Sequence, residues 1–193
     1  MREGEVERKT KETDIRIKLR IEGNGESHIK SPIGFLNHML ETLTRHSGFD
    51  IDAEINGDIH VDQHHIVEDT GYCLGTALNQ ALREKRGINR AGCFIYPMDE
   101  ALAMVAIDIS GRPLLKFSGR FKSEKIGDFK TELVQDFFAG FTNGCLCTIH
   151  IRLLSGKSDH HKLEAIFKAF AHALKQACMI GNRDYVPSTK GVI

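Results

Sequence analysis

Apolar residues alternate with charged ones in TDIRIKLRI (13–21), where Ile15, Ile17, Leu19 and Ile21 fall on one face of a half-buried strand. Gly23-Asn24-Gly25 marks a turn, and SHIK begins a returning strand. In GFLNHMLETLTRH (34–46) the spacing of Phe35, Met39, Leu43 and His46 is helical, and Gly48 ends the helix. FDIDAEI alternates again, and Asn56-Gly57 carries a hairpin-turn signal. Between 63 and 86, Val67, Leu74, Ala77, Leu78 and Ala81 predict a long helix closed by Gly87. Strands are expected at GCFIYP, ALAMVAIDI and PLLKFSG, with a turn at 110–113 between the last two. Residues 131–142 read as a helix, 146–154 as a strand, and 159–179 as a long helix ended by Gly181.

This order of elements runs strands, helix, strands, helix, and then much the same again. It predicts a mixed α+β fold, a single domain spanning 1–193 and made of two similar halves, about 1–92 and 93–193. The chemistry repeats as well. DQHHIVED (62–69) and SDHHKLEA (158–165) both contain His-His-x-x-Glu, offset by 160 − 64 = 96 in a chain of 193 residues. Laying His64 on His160 sets Glu68 on Glu164, Leu74 on Phe170 and Ala77-Leu78 on Ala173-Leu174. Upstream, FLNHML falls on LVQDFF with a two-residue slip, which places His38 opposite Asp136.

Residues i and i+4 share a helix face, whereas adjacent residues diverge by about 100°. His64 therefore converges with Glu68, and His160 with Glu164, while His65 and His161 look away. A dimetal arrangement uses all of these directions if each ion takes a His/Glu pair from one repeat and the second histidine from the other. That puts His160, Glu164, His65 and His38 around one ion, and His64, Glu68, His161 and Asp136 around the other. Asp62, Asp69 and Asp159 are candidates to orient the ligating imidazoles. Imidazole and carboxylate without thiolate suit manganese, iron or zinc at partly open sites. One such motif alone would be an ordinary solvated helix face; its symmetric repetition points to metal. Of the other histidines, His46 is the best placed for a site role.

Composition narrows the partners. Lys plus Arg number 26, as do Asp plus Glu, so no overall field favours nucleic acid or an anionic membrane. An anionic ligand must then be held by a local basic cluster. The apolar fraction of 41% supports a buried core, no apolar run approaches a membrane span, and MREGEVERKTKET lacks the apolar core of a signal peptide. A cytoplasmic protein is expected. The five dispersed cysteines read as reduced thiols, with Cys145 and Cys147 on one buried face.

The motifs LNHML (36–40), RHSGFD (45–50), GDIHVDQHHIVEDTGYCLGTAL (57–78), YPMDEALA (96–103), DISGRP (108–113), SDHHKLEAIFKAF (158–170) and VPSTKG (186–191) closely resemble the imidazoleglycerol-phosphate dehydratase family. The resemblance implies a duplicated fold similar to domain 2 of ribosomal protein S5. It also implies two manganese ions per active site and a homo-oligomeric 24-mer shell built from trimers, with sites between subunits. The implied reaction dehydrates imidazole glycerol phosphate to imidazole acetol phosphate in histidine biosynthesis, the metals acting on an imidazolate. The implied metal ligands are His38, His64, His65, Glu68, His160, His161 and Glu164. Glu12 falls where the family places a general acid/base, and His65 and Glu164 join it as catalytic candidates. Arg90, Arg112, Lys168, Ser188 and Lys190 correspond to the phosphate-binding set, with Glu12, His38 and His46 completing the substrate contacts. At the position of Asp136 the family usually carries a histidine ligand; a carboxylate can still bind manganese but alters charge and reach. Two rival readings are a dimetal phosphohydrolase and a shell whose metals only organise subunits.

Overall fold

Each alternating run is a strand with one buried face. The computed structural model describes residues 1–182 and 184–193. The first half contains β1 (Glu3–Lys9), β2 (Thr13–Arg20), β3 (Ser27–Lys30), α1 (Gly34–Ser47), β4 (Asp50–Gly57) and α2 (His64–Leu82). The second contains β5 (Ala91–Met98), β6 (Ala101–Asp108), β7 (Leu114–Ser118), a small hairpin of β8 (Lys125–Ile126) and β9 (Phe129–Lys130), α3 (Leu133–Cys145), β10 (Thr148–Ser155) and α4 (Asp159–Cys178).

The duplication is written in the sheets. Their orders are β1-β2-β4-β3 and β5-β6-β10-β7. In both, the first three strands pair antiparallel and the last joins in parallel. Gly4 pairs with Leu19 and Gly92 with Ile107, and a Cβ at either glycine would overlap a helix carbonyl, that of Ala77 or of Ala173. The helices cross between halves: α2 packs on α3, and α1 on α4. One continuous apolar core, including Ile15, Ile55, Phe138 and Phe170, runs through both halves.

Four glycines set the closest of these contacts. Gly71 and Gly75 of α2 lie against the backbone carbonyls of Phe137 and Phe141, and Gly140 and Gly144 of α3 lie against those of Glu68 and Tyr72. Any side chain there would separate the two helices.

Several expectations need correction. Asn56-Gly57 makes no hairpin turn, because Gly57 pairs with Thr13 at the end of β4 and the chain then passes through 58–63 into α2. That helix stops at Leu82 rather than 86, since Arg83 and Lys85 take positive φ (51° and 58°). The junction between halves falls in 83–90, because β5 already belongs to the second sheet at Ala91. β1 was not anticipated, nor was the β8–β9 hairpin. α1 ends as expected, at Gly48 in the left-handed conformation (φ 75°).

The hairpin braces the two helices that carry the early motifs. Ile33, which precedes α1, offers no side-chain cap. Asp128 supplies one from the other half, its carboxylate accepting from the amides of Gly34 (2.6 Å) and Phe35 (3.1 Å). The Asp128 carbonyl also accepts from the Gln63 side chain at 2.6 Å, immediately before α2.

Candidate active site

The two His-His-x-x-Glu motifs open α2 and α4, and helix geometry aims the first histidine and the glutamate of each along one face. Crossed packing then adds one group from the opposite half. At one position His38 of α1 meets His160 and Glu164 of α4. Their ligand atoms all lie within 4.8 Å of one another, the single such cluster of three found among the described residues. His38 Nε2 is 3.1 Å from Glu164 Oε1, and Phe35 packs edge-on against the rings of both His38 and His160. At the twin position His64 stands between two carboxylates, with Nε2 3.3 Å from Glu68 and Nδ1 3.4 Å from Asp136. Within one chain His38 thus converges with His160 and Glu164, whereas Glu68 and Asp136 lie at opposite ring nitrogens of His64.

The second histidines are not brought into them. His65 instead lies beside Glu12, Nδ1 to Oε2 3.6 Å. His161 Nδ1 is 2.8 Å from Glu100 Oε2, and its Nε2 is 3.7 Å from Asp99. Glu100 is the residue that periodicity could not single out. It also accepts from the backbone amides of Lys157 and Ser158 (2.9 and 2.7 Å). The His161 bond, followed by these amides, holds its carboxyl down at about 2, and the same contact raises the His161 pKa.

The three aspartates expected to orient the imidazoles have other work. Asp69 accepts from Arg8 and from the Thr13 hydroxyl. Asp62 takes the backbone amide of His64. Asp159 binds Lys162 and the amides of Lys122 and Ser123. Burial alone would raise the Asp159 carboxyl, but these donors together hold it below its usual value.

The expected anion-binding residues separate into two groups. Lys168 is 3.6 Å from Glu164 and 3.1 Å from the Met98 sulfur. It shares an open groove with His38, Arg45, His46 and Glu164. His46 Nδ1 lies 3.4 Å from His172 Nε2, and His172 stacks on Phe94 and Tyr96. Burial, then Lys168 and His172, lowers the His46 pKa; burial, then Lys175, lowers that of His172. Arg90 lies elsewhere, paired with Asp108 (2.7 and 3.1 Å) and donating to the Pro187 carbonyl (2.8 Å). Its amide bonds the carbonyl of Ala177; Ala177 and Glu164, thirteen positions apart on α4, are separated by roughly 20 Å at the usual helical rise. Ser188 and Lys190 form a turn in the segment that Arg90 holds, and Arg112 is exposed next to Gly111, where an added Cβ would crowd Ile193. Within one chain the Arg90 segment and the His160–Glu164 pair therefore meet different ends of α4, with Lys168 on the side of Glu164.

The donor set fits a divalent metal. His38, His160 and Glu164 offer imidazole nitrogens and a carboxylate oxygen with no thiolate, and they converge without help from any backbone change.

Fold and site together define a class: a duplicated α+β protein with paired histidine–carboxylate sites at the starts of two helices. A model of the family described as Imidazoleglycerol-phosphate dehydratase matches residues 31–174. Imidazoleglycerol-phosphate dehydratase of Caldicellulosiruptor bescii is 52% identical over 192 residues, covering 100% of this chain and 98% of that one. The protein of the same name from Koribacter versatilis is 49% identical over 195 residues, with 100% of both chains covered. Among solved structures, the imidazoleglycerol-phosphate dehydratase of Staphylococcus aureus superposes with a TM-score of 0.84 at 40% identity, covering 93% of this chain and 99% of that one. That of Pyrococcus furiosus gives 0.83 at 37%, covering 97% and 100%. The chain belongs to the imidazoleglycerol-phosphate dehydratase family and is a hydro-lyase. Among the described residues no helix is long and apolar enough to cross a membrane.

Proposed function

We propose that the chain dehydrates imidazole glycerol phosphate to imidazole acetol phosphate in histidine biosynthesis, with two manganese ions per site. The observation that carries this reading is the convergence of His38, His160 and Glu164, with His64 standing between Glu68 and Asp136 at the repeat-equivalent position. Bound at these positions, divalent metal would supply Lewis-acid withdrawal of electron density from the substrate's ring. His38, His160 and Glu164 would hold one ion, and His64 and Glu68, with Asp136, the other.

His65 and His161 point away from both groups, and the Arg90 segment sits at the far end of α4. Both facts favour sites completed between copies of the chain. One copy would lend a second histidine, and the Arg90, Arg112, Ser188 and Lys190 donors, to the metal-type groups of another. A 24-mer built from trimers is a closed assembly with such shared sites. Glu12, whose side chain is 62% exposed beside His65, is free to carry the proton removed from carbon to the departing hydroxyl. Lys168 and His46 border the groove beside the first metal group and would meet the substrate there. A cytoplasmic location accompanies this reading, in line with the thiol cysteines.

The test is direct. Manganese-loaded protein given imidazole glycerol phosphate should yield a ketone that retains its phosphate. Release of inorganic phosphate would favour a phosphohydrolase, and bound manganese without turnover would favour a purely structural role. Chelation followed by light scattering examines the shared sites: loss of metal is expected to shrink the assembly, and returning manganese to restore it.

A further inference from the structure

The duplication pairs two glutamates that the chemistry treats differently. Counting along the first two strands of each sheet, Gly4 matches Gly92 and Leu19 matches Ile107, both at an offset of 88. The same offset carries Glu12 onto Glu100. Each ends the turn before the second strand of its sheet, and each faces the second histidine of the motif in its own half: Glu12 beside His65 and Glu100 beside His161.

Their surroundings diverge. Glu100 is tied at three points: Oε1 accepts from the amides of Lys157 and Ser158, and Oε2 lies 2.8 Å from His161 Nδ1. Ser158 in turn caps α4 by accepting from the His161 amide. A carboxylate fixed in this way accepts but does not travel. It holds the His161 proton on Nδ1, and so leaves the Nε2 lone pair open to a ligand. Among the described residues no hydrogen bond ties the Glu12 carboxylate; its Oε2 stands 3.6 Å from His65 Nδ1, beyond a hydrogen bond.

We infer that Glu100 is a positioning residue for metal binding, fixing the tautomer and direction of His161, while its twin Glu12 is left loose to move a proton. The inference rests on the dimanganese reading. A carboxylate behind a ligating imidazole both orients it and raises its basicity, and loss of such partners costs about 10–100-fold in metal affinity.

Manganese titration followed by electron paramagnetic resonance of the free ion, with turnover measured in parallel, separates the twins. Glu100→Gln keeps an acceptor for the α4 turn but presents at most one oxygen to two sets of donors. It is expected to weaken manganese binding by about 10–100-fold and to recover turnover at saturating metal. Glu12→Gln is expected to bind manganese within about twofold of the parent yet lose about 10²–10⁴-fold in turnover. A mutant cycle distinguishes an effect through His161 from one on the turn: with His161→Ala already present, Glu100→Gln should change affinity by no more than about twofold, the scatter of uncoupled sites. Parent-like manganese affinity in Glu100→Gln overturns the inference, as does a full loss persisting in the His161→Ala background. Parent protein that takes up no manganese overturns the dimanganese reading itself, and this inference with it.

Discussion

His38 and Glu164 stand 126 residues apart in the chain, yet the imidazole Nε2 lies 3.1 Å from the carboxylate Oε1. Crossed packing of α1 on α4 makes that contact, and α2 on α3 brings Asp136, the repeat equivalent of His38, to 3.4 Å from His64. The ligand positions therefore depend on how closely helices of opposite halves approach, and that dependence can be tested at residues that bind nothing.

Gly140→Ala should destabilise the protein by about 1–3 kcal/mol, as overpacking does. Alanine favours a helix over glycine by about 1 kcal/mol, so the sign tests the packing. A Cβ at this position would overlap the Glu68 carbonyl, and α2 must move away from α3. Thermal melting measures the loss; a variant more stable than the parent would show that the helices have room.

Asp128→Ala removes the only side-chain cap on α1 found among the described residues, a loss of about 1–2 kcal/mol for a good N-cap. His38 lies one turn further along the same helix, so manganese affinity at the His38–His160–Glu164 group should fall as well. Asp128→Asn, which keeps one acceptor, is expected to lie between. Denaturant midpoints and manganese titration check the two effects separately, and unchanged values in both would remove the hairpin from any bracing role.

Much of this architecture was legible in the chain. Ile15, Ile17 and Leu19 alternate with charges and are buried with 0–1% exposure, because a strand on a core has only one wet face. The twin motifs also grouped His38 with His160 and Glu164, which do converge, but they grouped His65 there as well, and within one chain it lies beside Glu12. β1 escaped because its inward positions are Gly4, Val6 and Arg8, too little apolar signal amid alternating charges. Glu100 escaped for a different reason. Its offset from Glu12 is 88 whereas that of the histidines is 96, so an alignment laid on the helices alone does not superpose the two glutamates. The separation of Arg90 from Lys168 could not be read at all, since it depends on which end of α4 each segment meets.

The half-buried pair His46 and His172 gives a pH dependence with a definite sign. Burial holds both below the ordinary histidine value of 6.5. The unfolded chain then binds protons that the folded one refuses. Stability from this source is complete above about pH 6.5 and is lost as pH falls toward the folded-state values. His172→Phe keeps the stack on Phe94 and Tyr96 but removes one such group. In metal-free protein the melting temperature of this variant should gain on the parent as pH is lowered from about 8 to about 5.5. A gap between the two that stays constant across that range would show that His172 does not titrate in the unfolding reaction.

Asp136→His should bring the second metal group into the form of the first. In the first group an imidazole, His38, reaches from α1 so that three ligand atoms converge. At the repeat-equivalent position on α3, Asp136 is shorter, and His64 lies between it and Glu68, one ring nitrogen turned to each. For Asp136 to coordinate, the His64 ring must release one of these carboxylates, or a water must bridge the gap. Its negative charge would also make the ion a weaker Lewis acid than a neutral imidazole would. Histidine has the reach to converge without disturbing His64, and it removes that charge. The variant is therefore expected to bind two manganese ions per chain with turnover equal to or above that of the parent. A crystal structure of the parent with full metal occupancy decides the role of the carboxylate: an Asp136 oxygen more than about 3 Å from either ion lies outside coordination distance. A histidine variant that holds both ions but turns over substrate much more slowly would show instead that the rest of this site is fitted to the aspartate.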